Sequence, residues 1–252
     1  MNVCDADLRD HRVLMMLHHQ NRELATWLIG VALLVAACGS GGGHGTSQLT
    51  LEDVNHDGQI VLLAFGDSIT RGVGDGPGEH DAPPAPAGYP LRLQNLLGVT
   101  VIDDGNPGEL TSDGMQRLLG SLEVNHPDYA ILLEGTNDVL GGDGNAAVGN
   151  MRSMIKSVFA AGAVPLLGTI TPICCDTEAV HPQSVILSYN DNIRALAEDE
   201  GVVLIDFYSA FTGAPEAEYD PSRGLIHQPE GIHPTPAGYD VMAATVASLF
   251  RQ

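Results

Sequence analysis

From residue 60 onward, short blocks of consecutive apolar residues recur along the chain, separated by longer stretches in which apolar and polar positions interleave. Five blocks are rich in β-branched side chains: Ile60–Phe65, Val99–Asp103, Tyr129–Leu133, Val164–Thr169 and Val202–Asp206. Unbroken apolarity over five or six residues suits strands covered on both faces, because a strand with one wet face alternates. Between and after the blocks, Tyr89–Leu97, Thr111–Glu123, Ala146–Ala161, Ser184–Glu200 and Thr235–Phe250 read as helices. Strand–helix alternation implies right-handed crossovers and a parallel sheet flanked on both sides. The expected fold is therefore α/β: one domain over residues 60–252, a three-layer α/β/α sandwich around a five-stranded parallel sheet. Ligands in such sheets bind beyond the carboxyl ends of the strands, near the switch in strand order.

The chain before residue 60 has a different pattern. An apolar run of 13 residues, Ala25–Ala37, follows basic residues up to Arg22. It fits the apolar region of a signal peptide and is too short to span a bilayer. The run ends Val35-Ala36-Ala37-Cys38, which resembles the lipobox of bacterial lipoproteins. That resemblance implies cleavage before Cys38, a diacylglycerol on its thiol, and an extracytoplasmic protein anchored to a membrane at the periplasm or cell surface. The expected division is a signal peptide over 1–37, a lipidated cysteine and flexible Gly-rich tether over 38–59, and the folded domain after it. Inside the tether, Asp53, Asn55, Asp57 and Gly58 match the opening of an EF-hand-type calcium loop, but its twelfth position is Ala64 rather than a bidentate Glu. A turn built on Asx side chains is the better reading, and a calcium site the second.

Charge narrows the partners. The net charge is −21, and Lys156 is the only lysine. Such a surface repels phosphate backbones, so no nucleic-acid partner is expected. No His-Glu-x-x-His or paired Cys-x-x-Cys is present, so neither a metal nor any other cofactor is expected.

Chemistry-bearing residues gather where the fold predicts a site. Gly66-Asp67-Ser68-Ile69-Thr70 follows the first strand, Gly105 ends Asp103-Asp104-Gly105, Gly135-Thr136-Asn137-Asp138 follows the third strand, and Glu230-Gly231-Ile232-His233-Pro234 lies after the fifth. A serine hydroxyl needs a base to take its proton as it attacks. His233 can serve, with Glu230 three residues upstream to fix its tautomer. An oxyanion needs preorganised donors, here the backbone N–H groups of Ser68 and Gly105 and the carboxamide of Asn137. These four blocks, in this order, resemble those of the SGNH (GDSL) hydrolases. The resemblance covers residues 66–239 and implies a flavodoxin-like hydrolase with Ser68, His233 and Glu230 catalytic and Ser68, Gly105 and Asn137 forming the oxyanion hole. Two positions depart from the family pattern: Glu230 stands where Asp is usual, and Asp103 where Asn is usual.

The implied activity is hydrolysis of a carboxylic ester or thioester, on a small or lipid-like substrate, through an acyl-serine. Two other functions remain open: O-deacetylation or acyl transfer on a polysaccharide with the same residues, and a non-catalytic, lipid-tethered binding module. Only one Trp occurs, Trp27 in the leader, which disfavours an aromatic sugar platform. Once Cys4 leaves with the leader and Cys38 carries lipid, Cys174 and Cys175 are the remaining thiols, and an oxidising compartment favours a vicinal disulfide between them. The glycine-rich stretch 72–88 reads as an exposed loop, and His227 as a surface histidine.

Overall fold

The computed structural model describes residues 48–78, 80, 81, 83–174 and 183–251. Five strands and eight α-helices alternate along them: β1 (Val61–Gly66), α1 (Ser68–Arg71), α2 (Gly88–Leu97), β2 (Thr100–Gly105), α3 (Thr111–Asn125), β3 (Tyr129–Leu133), α4 (Thr136–Gly141), α5 (Gly144–Ala160), β4 (Val164–Gly168), α6 (Gln183–Glu200), β5 (Val203–Ile205), α7 (Phe207–Thr212) and α8 (Pro236–Ala247). All strand pairs are parallel, in the order β2-β1-β3-β4-β5. The chain enters the sheet at β1, steps outward to β2, then crosses to β3 on the other side. The order reverses between β1 and β3, which is where a parallel sheet opens a crevice.

Pleating sends alternate residues of β1 to opposite layers. Leu62 and Ala64 join a buried cluster with residues of α2, α7 and α8, while Leu63 and Phe65 join another with α3, α5 and α6. Both faces are thus covered by helices, as the unbroken apolar runs require. Among the described residues, no helix is long and apolar enough to cross a membrane. The expected signal peptide and Cys38 lie outside the described residues.

The domain starts earlier than the first strand. Residues 48–59, expected to belong to the tether, are docked on the amino-terminal edge of the sheet. Leu49 pairs with Phe250, giving its N–H to Leu249 at 2.7 Å and accepting from Arg251 at 2.9 Å. Leu49, Leu51 and Val54 pack on the core. Asp128, fully buried ahead of β3, accepts the Val54, Asn55 and Val61 N–H groups at 2.6, 3.1 and 2.8 Å. One carboxylate thus satisfies three amides that would otherwise be left unpaired as the segment packs. In the Asx-rich turn, the side-chain oxygens of Asp53, Asn55 and Asp57 accept backbone N–H groups of Asp57, Gly58 and Gln59, so those oxygens organise the turn.

Candidate active site

β1 ends in Gly66, where an added Cβ would overlap the Thr70 hydroxyl and the Leu133 carbonyl. Only glycine lets the chain turn this tightly between β2 and β3. Asp67 follows, and its Oδ1 caps α1 by accepting the Ile69 N–H at 2.9 Å. Ser68 is therefore the first residue of a helix. Its own N–H belongs to the set that has no partner within the helix.

The other components arrive by separate routes. Gly135, at φ 110°, has the hydroxyl of Tyr189 where a Cβ would stand, and its unusual backbone starts α4 with Asn137 in the first turn. Asp138 reaches the start of α3, accepting the Thr111 N–H at 3.0 Å and its hydroxyl at 2.7 Å. Those bonds fix α4 against α3. His233 comes from the loop between α7 and α8, which closes on itself: His227 N–H donates to the His233 carbonyl and Gly231 N–H to that of His227.

Across these elements, His233 Nε2 lies 2.9 Å from Ser68 Oγ and His233 Nδ1 lies 2.6 Å from Glu230 Oε1. Glu230 Oε2 also accepts the N–H groups of Ile232 and His233 at 2.9 and 2.8 Å. Burial works to raise the Glu230 carboxyl, but the hydrogen bonds from His233 and Ile232 outweigh it and leave the group below the usual carboxylate range. The extra methylene of Glu is absorbed by folding the side chain back onto its own loop.

Gly105 does not present its amide as expected. Its N–H is turned to Asp103 Oδ1 at 3.3 Å, and it pairs with Gly66 in the sheet. An added Cβ would overlap the Arg71 backbone nitrogen. Gly105 is thus a close-approach glycine that lets α1 cross β2, and Asp103, standing where the family has Asn, takes up its donor. Gly108 is better placed. Asn106-Pro107-Gly108-Glu109 forms a turn closed by Glu109 N–H on the Asn106 carbonyl, with Gly108 at φ 80°. Pro then Gly with positive φ is the type II pattern, and the N–H of Gly108 has no acceptor within that turn. Asn137 Nδ2 donates to the Glu109 carbonyl at 2.8 Å, which sets the carboxamide beside this turn.

Beneath the site lies a group of acids that the sequence reading missed. Asp67 is 1% exposed and Glu134 fully buried. Burial raises Asp67 to about 6, against the Ile69 N–H and the Thr136 hydroxyl, which favour its charged form. Burial, the nearby Asp67 and the adjacent Glu109 push the Glu134 carboxyl well above the ordinary carboxylate range. Glu109 is shifted the other way: burial opposes its charge, but Arg117 and Asn106 outweigh that and keep it ionised. Arg117 reaches Glu109 at 2.6 Å and Asp104 at 2.6 Å, with its guanidinium 3.9 Å from the centroid of the Phe65 ring. The detectable signals were an acid ending the apolar run of β3 and an arginine on the buried face of α3.

The loop after α1 is partly structural. Val73 and Gly74 are buried, Tyr239 donates its hydroxyl to the Val73 carbonyl at 2.6 Å, and His227 Nε2 lies 2.8 Å from the Gly74 carbonyl. His227, expected at the surface, is half-buried and ties this loop to the histidine loop. Cys174 is disulfide-bonded, and its N–H donates to the Gly231 carbonyl at 2.9 Å. Cys175, the expected partner, lies outside the described residues.

The GDSL-like lipase/acylhydrolase family model matches residues 64–241. Solved structures with the same fold include a lipase/acylhydrolase from Enterococcus faecalis, 23% identical, covering 75% of this chain and 94% of that one at a TM-score of 0.60. A member of the lipolytic protein G-D-S-L family from Veillonella parvula is 23% identical, with 76% and 98% covered and a TM-score of 0.60. A catalytic mutant of an acetylxylan esterase from Geobacillus stearothermophilus is 21% identical, with 77% and 97% covered and a TM-score of 0.59. No curated protein matches the sequence.

Proposed function

Because the chain belongs to the GDSL-like lipase/acylhydrolase family, we propose that it hydrolyses carboxylic esters or thioesters through an acyl-serine intermediate. The observation that carries this reading is the continuous line from Ser68 Oγ to His233 Nε2, at 2.9 Å, and from His233 Nδ1 to Glu230, at 2.6 Å. Ser68 attacks the carbonyl carbon while its proton passes to His233 Nε2, and the Glu230 carboxylate stabilises the imidazolium that forms. The tetrahedral oxyanion is held by the Ser68 N–H, the Asn137 carboxamide and the Gly108 N–H, with Gly108 in the place assigned from sequence to Gly105. His233 then protonates the departing alcohol or thiol. Water, deprotonated by the same imidazole, releases the acid and restores the Ser68 hydroxyl.

Cys38 is the proposed attachment point for lipid, with the domain on the outer side of the membrane that holds it. Gly39–Ser47 link that point to the docked segment. A panel of aryl esters of rising acyl length, run beside acetylated glycans, tests the activity. Wild-type turnover of the esters, lost by several orders of magnitude in Ser68→Ala with the unfolding midpoint unchanged, is the expected result. Turnover confined to glycans would favour the polysaccharide deacetylase, and turnover independent of Ser68 would refute the assignment.

A further inference from the structure

His233 has a second histidine as neighbour. His80, on the exposed loop between α1 and α2, holds its ring centroid 6.4 Å from that of His233, with the ring planes at 82°. One donor atom each from His80, Glu230 and His233 lie within 4.8 Å of one another. Acyl transfer by Ser68 and His233 gives His80 no task. We propose that His80, His233 and Glu230 form a site for a borderline divalent cation of the zinc type, and that filling it silences the hydrolase. The site itself stands on geometry; only its inhibitory effect rests on the proposed function.

The donor set selects the ion. Two imidazoles and one carboxylate, with a position left for water, is a known protein environment for zinc. Magnesium and calcium prefer sites made wholly of oxygen. Two imidazoles on one tetrahedral zinc, with Zn–N distances of about 2.0–2.1 Å, keep their centroids about 5 Å apart. His80 must therefore approach by only about 1 Å, and it is an exposed side chain. The loop's ends are secured nearby: Asp75 accepts the Gly88 N–H at 2.9 Å and pairs with Arg92 at 2.7 Å. The net charge of −21 adds a field that concentrates cations at such a site.

The consequence for catalysis does not depend on which ring nitrogen of His233 binds. A neutral imidazole has one lone pair available in the plane. Ligation through Nε2 takes the lone pair that receives the Ser68 proton. Ligation through Nδ1 displaces the proton shared with Glu230 and leaves Nε2 protonated. In both cases Ser68 has no base.

The test uses zinc chloride, with magnesium and calcium chloride as controls, on the full chain. Zinc should inhibit ester hydrolysis where the other two do not. His80→Ala should keep the metal-free rate and need about 10–100-fold more zinc for half-inhibition, at least the loss seen when an outer partner of a metal ligand is removed. Titration calorimetry on Ser68→Ala, which cannot turn over, should show one zinc per chain, weakened to the same extent when His80→Ala is added. Equal inhibition of wild type and His80→Ala, or equal zinc affinity in the two Ser68→Ala proteins, would overturn the site. One zinc held through His80 by a chain that hydrolyses none of the esters would support the site and overturn its inhibitory role, separating this proposal from the hydrolase reading.

Discussion

Asp67 is a carboxylate that the fold stores at a cost, and replacing it by Asn should make the protein more stable where the carboxylate is charged. Its carboxyl titrates at about 6 in the folded chain against 3.8 for a free aspartate, mainly because burial penalises the charge. Between those two values the folded chain holds a proton that the unfolded chain has released. Stability therefore falls as pH rises through that window and stays lower above it. The gap corresponds to about 3 kcal/mol, present in full at pH 8 and absent below about pH 3. Asn keeps the oxygen that caps α1 through the Ile69 N–H but carries no charge to desolvate. Urea unfolding of wild type and Asp67→Asn across pH 3–8 should thus give curves that diverge, with the variant gaining about 3 kcal/mol at pH 8 relative to its difference at pH 3. The same substitution should lower kcat, because in the proposed mechanism positive charge develops on His233 near the Asp67 carboxylate. Two parallel stability curves, or a wild type favoured at pH 8, would show that the buried carboxylate is not the source of the penalty.

Asn137→Ala should lower kcat by about 3–4 kcal/mol in barrier height with little change in KM, since the lost donor meets the oxyanion chiefly in the transition state; steady-state kinetics on an aryl ester would show it. Glu230→Gln should lower activity and loosen the histidine loop together. One amide oxygen cannot serve both His233 Nδ1 and the N–H groups of Ile232 and His233, so hydrogen exchange at residues 231–233 should rise with the loss of rate. Gly105→Ala should destabilise the protein as a whole rather than lower kcat alone, because its Cβ would fall on the Arg71 backbone; a large drop in melting temperature would confirm it, and normal stability with poor turnover would return Gly105 to the oxyanion hole.

What could be read from the sequence divides along lines of distance in the chain. β3 was legible residue for residue, and the five long helices within a few positions, because hydrophobic periodicity over many residues is a local signal. The helices α1, α4 and α7 span 4–6 residues, fewer than two turns, and carry no periodicity to detect. They begin directly after strands, α1 and α7 capped by Asp67 and Asp206 and α4 turned at Gly135. Ser68, Asn137, Glu230 and His233 stand out in the sequence because each lies in a short ordered motif. Gly105 and Gly108 stand three residues apart, and only the backbone shows that the first is packed under α1 while the second turns in a type II corner. Glu134, Glu109 and Arg117 are drawn from three segments, and their pairing exists only after β1, β2 and β3 have assembled.

The clasp between Leu49 and Leu249 joins positions 200 residues apart, so the two ends of the domain meet through it. Pairing over that span is non-local, so the entropy of closing the loop is lost before the contact offsets it. A nascent chain that has not yet reached residues 249–251 therefore lacks the backbone partners of Leu49, while Glu52, Val54 and Asn55 are already held by Tyr129 and Asp128. Residues 249–251 act as a latch on Leu49, which closes only once synthesis has passed Arg251.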